Sequence, residues 1–262
     1  MTAVYDLPTL LIFILFVTII PFLAVLGLFI FKSVDLETVR CPEGNNGMIG
    51  VYVGISSVFL GVMISFLIIT VWNLYTSTEL SSQQEAQAII ILYQNVYSLP
   101  NSKKIQLSII RYLRYVINVE YPELKNGDVN LFGAQILGNI QKELYNYTPS
   151  GDREVSLYDN CIQELNNIIN LRVDRIHNAS AGINNILWGV CIFDSIIIIL
   201  VTWFLICNNV FHYVLVIIIS MFISASLFLI YTFSYPFRGQ NGLTPEPFKE
   251  ALTAIRKYRN QF

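Results

Sequence analysis

Asp194 is the one ionisable side chain that lies well inside a long apolar run of this chain, between Phe193 and Ser195. An acid in hydrocarbon costs roughly 2.5–3.5 kcal/mol on insertion scales, which makes it a candidate functional group by default. Two readings are open. In one, the carboxyl is protonated or hydrogen-bonded, held by the hydroxyls of Ser220 and Ser224 at comparable depth in the next run. In the other, it belongs to a ring of carboxylates or to a proton-linked site. No Lys or Arg lies inside any apolar run, so only a helix end could supply a cation for it.

The second pattern is steric. Gly50, Gly54, Ser57, Gly61 and Ser65 recur at spacings of 4, 3, 4 and 4, which keeps them on one narrow helical stripe. Small residues let helix backbones approach closely in a bilayer, where no hydrophobic force drives association. The stripe serves either packing within one chain or a bundle of copies around a central passage. In a bundle, Gly54, Ser57, Gly61, Ile64, Ser65 and Ile68 are the pore-lining or constriction candidates. Other chemistry is sparse. His177 and His212 fall on different sides of the membrane, and Cys41, Cys161, Cys191 and Cys207 are scattered, so neither a metal cluster nor a disulfide framework is expected. No phosphate loop, nucleophile elbow or paired-carboxylate motif is present. Neither an enzyme nor a cofactor is expected.

These residues sit on elements defined by hydropathy. Apolar runs cover residues 9–31, 49–72, 183–206 and 210–233. Each is long enough, at about 1.5 Å per residue, to cross a hydrocarbon core of about 30 Å. Of the 262 residues 54% are apolar and 13% charged, and the mean hydropathy is +0.55, against about 25% charged in soluble domains. The net charge of −2 points away from nucleic acid. The first run is too long for a signal-peptide core and has no cleavage motif after it, so it is expected to be retained. Fourteen of the sixteen Lys and Arg fall in residues 73–182 or 234–262. The positive-inside bias therefore puts both termini and the middle segment in the cytoplasm, with the protein in the cytoplasmic (inner) membrane.

Nothing stops the second span at the membrane face. No proline occurs between Ile49 and Leu99, and no glycine after Gly61 in that stretch. Past Trp72 and Tyr75, Ala86, Ile89, Ile90, Tyr93, Val96 and Tyr97 keep one helical face. One helix of about 50 residues, roughly 75 Å long, is predicted. Further helices are predicted over 103–120 (stopped by Tyr121-Pro122), 130–147, 157–178 and 246–258, with Gly182 as the one hinge before the third span. Residues 41–47, rich in Pro, Gly and Asn, read as an extracytoplasmic loop. The fold class is all-α: an integral membrane protein with four transmembrane helices and a cytoplasmic helical bundle.

After the fourth span come Tyr235-Pro236-Phe237-Arg238-Gly239 and Leu243-Thr244-Pro245-Glu246-Pro247-Phe248. This pair resembles the D-x-P-F-x-G … P-x-x-F signature of the bestrophin-like family, a mainly bacterial family. Trp72, Tyr75, Glu85-Ala86, Tyr112, Glu120, Tyr121, Arg172, Arg175 and Trp188 match in order. The family's usual acid is Ser234 or Tyr235 here, which leaves the role of that carboxylate without a carrier. The resemblance implies four spans, cytoplasmic termini and several subunits around one ion path, with the second span as a hydrophobic neck and Pro236, Phe237, Arg238 and Gly239 as the cytoplasmic motif. The expected function is an oligomeric ion channel of four or five copies, its partners the lipid bilayer and inorganic ions. Selectivity stays open: Asp194 favours cations, while bestrophins conduct anions. The alternative is a non-conducting membrane receptor or scaffold that binds a partner through Ile89, Tyr93 and Tyr97. A secondary transporter fits poorly without an inverted repeat.

Overall fold

A computed structural model describes residues 7–33, 46–204 and 210–261. They form α1 (Thr9–Ser33), α2 (Asn46–Tyr97), α3 (Lys103–Tyr115), a π turn (Val116–Glu120), α4 (Tyr121–Asn126), α5 (Phe132–Tyr145), α6 (Asp152–Ala181), α7 (Asn185–Trp203), α8 (Val210–Phe233) and α9 (Glu246–Gln261). No strand occurs among the described residues. Of the expected 41–47 loop, residues 41–45 lie outside the described residues, and Asn46 and Gly47 already belong to α2. Cys41, Cys207 and the last residues of the 183–206 run also lie outside them.

The chain divides into two units. The first holds residues 7–33, 46–73, 182–204 and 210–234, the second 74–181 and 235–261. In the first unit, α1 packs along α8, and α7 touches both. Four helices are long and apolar enough to cross a membrane. Their surface is inverted relative to a soluble bundle: Phe22, Phe59, Phe193 and Phe222 are all more than half exposed, as hydrocarbon surroundings permit. The interior is thin, with Leu60, Leu67 and Val71 of α2 against Cys191, Ile198, Ile223 and Ile230. Phe13 and Phe16 meet Phe228 edge-on at 5.1 and 6.2 Å. An added Cβ on Gly27 would lie within van der Waals overlap of the Trp203 ring, so only glycine admits that indole.

In the second unit the amphipathic stripes pack as their spacing predicts. Ile89, Tyr93 and Val96 of α2 and Ile105, Ile109 and Leu113 of α3 are buried in one core with Ile136, Ile140 and Leu144 of α5 and Phe248 and Ile255 of α9. Two boundaries differ most from expectation, the others by three residues or fewer. Tyr121-Pro122 does not stop the third helix, because the π turn absorbs the proline. The Tyr121 N–H donates to the Val116 carbonyl five residues back, and Pro122 then falls in the first turn of α4, where no N–H is needed. The stop comes at Gly127, φ 88°. Likewise α6 starts five residues early. The Glu154 carboxylate accepts from the Ser150 N–H and Oγ and the Tyr147 hydroxyl at 3.0–3.1 Å, tying down the start that a turn-rich composition concealed. At the other end α6 stops at Gly182, φ 52°, and Asn184 caps α7 by accepting from the Ile186 N–H at 2.9 Å.

Candidate functional site

Three sides of α2 can be told apart in the first unit. Leu60, Leu67 and Val71 face its interior. At about 100° per residue, the small-residue stripe is centred roughly a quarter turn away. Nothing lies within 4 Å of a Cβ built on Gly50, Gly54 or Gly61. Ser57 and Ser65 are exposed, and Ser65 Oγ donates only to the Gly61 carbonyl of its own helix, at 2.7 Å. Among the described residues, no neighbour in the same chain covers these glycines. Ile64 and Ile68 sit on its flank, partly buried against the unit's own core. Large apolar side chains (Val51, Ile55, Phe59, Val62, Phe66) cover the remaining side and are exposed.

Asp194 lies half-buried on α7. Its Oδ2 is shielded and has no hydrogen-bond partner, and the same holds for Ser220 Oγ. Ser224 donates to the Ser220 carbonyl and Ser195 to the Cys191 carbonyl, each within its own helix. The expected hydroxyl cradle is thus not formed: serines in a helix bond readily to the carbonyl four residues back. His212 is buried, its Nε2 at 3.0 Å from the Thr202 carbonyl, and His177 is exposed on α6. Among the described residues no group of His, Cys, Asp and Glu could hold a metal.

The second unit gathers the matched polar residues into one buried cluster. Arg175 of α6 donates Nε to Glu85 Oε2 (2.7 Å) and Nη2 to Glu85 Oε1 (3.2 Å) and Glu120 Oε1 (2.7 Å). Arg172 donates Nη2 and Nε to Glu120 Oε2, at 2.6 and 3.1 Å. Tyr112 donates to Glu85 Oε1 at 2.5 Å. The rings of Tyr121 and Phe248 lie 5.5 and 5.3 Å from the Arg175 guanidinium. Two cations and two carboxylates cancel, which is the condition for burying them. Burial disfavours the charge on Arg175, yet Glu85 and Glu120 outweigh it and raise its pKa well above the usual arginine value. Burial, and then the Glu85 charge, push the Tyr112 phenol well above its usual range. The π turn carries Glu120 into the cluster. Gly133 lets the backbone of α5 pass: a Cβ there would meet Glu120 Oε2 at 2.5 Å and Arg172 Nη2 at 2.7 Å.

The segment after α8 docks onto the same unit. Phe237 is buried with its ring 5.3 Å from Tyr121, and the Leu243 N–H donates to the Pro236 carbonyl at 2.8 Å. The Arg238 guanidinium stacks 4.5 Å from the Tyr235 ring and fills the space where a Cβ on Gly127 would stand. Gly239 adopts φ 77° in this turn. Where the family signature has an acid, Ser234 bonds its own helix at Ile230. Ile89 and Tyr93 are fully buried, so they are core and not the partner-binding face that the receptor alternative requires. The cluster carried a sequence signal: Glu85 falls in the buried register of Ile89, Leu92 and Val96, and Arg172 and Arg175 continue that of Cys161, Leu165 and Ile168. A charge on an apolar stripe marks a buried partner.

A model of the bestrophin-like domain matches residues 18–248. Among solved structures, a mutant of a bacterial bestrophin homologue from Klebsiella pneumoniae superposes with a TM-score of 0.66 at 10% identity, covering 96% of this chain and 98% of that one. A second, a mutant described as a membrane protein, gives 0.55 at 11% identity with the same coverage. At such identities the likeness is one of fold. No curated protein matches the sequence.

Proposed function

The chain belongs to the bestrophin-like family, and from that premise we propose that it is one subunit of an oligomeric ion channel of the cytoplasmic membrane. Four or five copies set their second spans around a shared axis. The observation that carries this reading is the open stripe on α2. Among the described residues nothing stands within 4 Å of a Cβ on Gly54 or Gly61, and Ser57 and Ser65 are exposed; small residues let copies of one helix come close enough to enclose a narrow path. Ile64 and Ile68, on the flank, narrow that path to an apolar constriction that gates by dewetting. The distribution of Lys and Arg supports cytoplasmic termini and a cytoplasmic second unit, from which the helical bundle would control the constriction.

Asp194 is the one acidic side chain well inside an apolar run, and a ring of carboxylates favours cations; the bestrophin analogy favours anions. Recording from purified protein in planar bilayers under a salt gradient decides between them. A current whose reversal potential lies toward the cation equilibrium value, and moves toward zero in Asp194→Asn, assigns cation selectivity to that acid. Reversal on the anion side assigns the selectivity elsewhere. Absence of any conductance above protein-free bilayers overturns the channel reading, and a dimer without an axial cavity then favours the scaffold.

A further inference from the structure

Away from both sites, α3 and α5 pack through Ile105, Ile109, Ile136 and Ile140, and their polar faces diverge into a cleft of about 310 Å³. On α3, Lys104, Ser108 and Arg111 fall at i, i+4 and i+7; on α5, Gln135, Asn139 and Lys142 do the same. Both rows line the cleft. Its one carboxylate is already engaged: Glu143 takes Lys104 Nζ at 3.4 Å and Ser108 Oγ at 3.0 Å. Arg111 and Lys142 have no carboxylate partner among the described residues. The amides of Gln135 and Asn139 likewise make no hydrogen bond there.

We infer that this cleft binds a phosphate monoester of a small organic group. The unengaged donors in it are the Arg111 guanidinium fork, the Lys142 ammonium and the amide NH2 groups of Gln135, Asn139 and Asn146, and its one carboxylate is occupied. A guanidinium fork fits phosphate oxygens bidentately, and the surplus of positive charge, in a chain whose net charge is −2, is relieved by a dianion. The volume exceeds what a bare phosphate fills and sits at the lower end of small-molecule sites, about 300–1,000 Å³. Phe132, 46% exposed at the cleft wall, offers a flat apolar surface to the attached group. The same monoester chemistry occurs in soluble metabolites and in the phosphatidate headgroup.

The test is calorimetric titration of the purified full-length protein with adenosine monophosphate and with inorganic phosphate, and of protein in nanodiscs with and without phosphatidate. Saturable binding that weakens with added salt is expected, with the monophosphate tighter than inorganic phosphate. Arg111→Gln loses about tenfold or more in affinity, as removal of a charge-assisted hydrogen bond does. Lys257→Gln, on α9 outside the cleft, changes nothing. Binding to phosphatidate alone names a lipid headgroup as the ligand and supports the site. Absence of binding to all three, or equal weakening by Arg111→Gln and Lys257→Gln, overturns it. None of these readouts involves conduction.

Discussion

At the scale of single residues, the strongest constraint in the second unit is the pairing of Arg175 with Glu85 and Glu120. Removing one member of a buried ion pair strands the others, at a cost of about 3–5 kcal/mol. Arg175→Met leaves Glu85 with no cation and only the Tyr112 hydroxyl, while Glu120 keeps Arg172, and the thermal unfolding midpoint in detergent should fall steeply. An unchanged midpoint would mean that water reaches the cluster. Arg175→Lys should recover little, because an ammonium cannot reproduce the fork that spans two carboxylates. Tyr112 gives a pH signature. Its folded pKa lies well above the ordinary 10.0, so its contribution to stability is complete below about pH 10 and is lost as the pH rises through the folded value. Alkaline titration of stability should therefore show a shallower decline in Tyr112→Phe than in the native protein. Cys161 is buried, and burial pushes its thiol up to about 12. It should resist alkylation at pH 8 until the chain unfolds.

Among the elements, glycines on one helix separate two roles. Gly133 and Gly138 both lie on α5, yet a side chain at the first collides with the charge cluster and at the second meets open space. Gly133→Ala should destabilise by about 1–3 kcal/mol, the usual cost of overpacking. Gly138→Ala should stabilise by about 0.5–1 kcal/mol, since the unfolded chain loses freedom and the helix gains propensity. Equal effects on the melting midpoint would contradict the packing described around Glu120. The same elements mark what a linear reading can reach. Long apolar runs disclosed the spans, and periodic stripes disclosed α2 and α3, because both signals are local. The π turn was hidden, because Pro122 reads as a stop unless the carbonyl pattern before it is known. The charge cluster was half hidden. Glu85, Tyr112, Glu120, Arg172 and Arg175 were marked one by one through family resemblance, but their meeting depends on three helices and a turn far apart in sequence. The expected hold of Ser220 and Ser224 on Asp194 failed because each serine had a nearer choice or none: Ser224 turned to its own backbone and Ser220 to nothing.

For the whole molecule, the two units set different conditions. The second is closed, neutral at its heart and packed by aromatic rings. The first exposes large apolar side chains, and among the described residues nothing covers the glycines of the α2 stripe, which suits the proposed ring of copies. A ring of identical subunits joins different patches head to tail around an axis, so mass measurement in mild detergent should give one closed stoichiometry of four or five, with no even ladder of dimers. The central claim, that the stripe lines an ion path, is tested most directly by thiol modification during recording. Native Cys161 and Cys191 are buried and should not respond, and Cys41 and Cys207, outside the described residues, are first changed to serine. A charged methanethiosulfonate reagent added to Ser57→Cys or Ser65→Cys channels should change the single-channel current at once, while Phe59→Cys, on the opposite exposed side of α2, should leave it unaltered. Current that ignores modification at Ser57 and Ser65, or responds at Phe59 alone, would contradict the account.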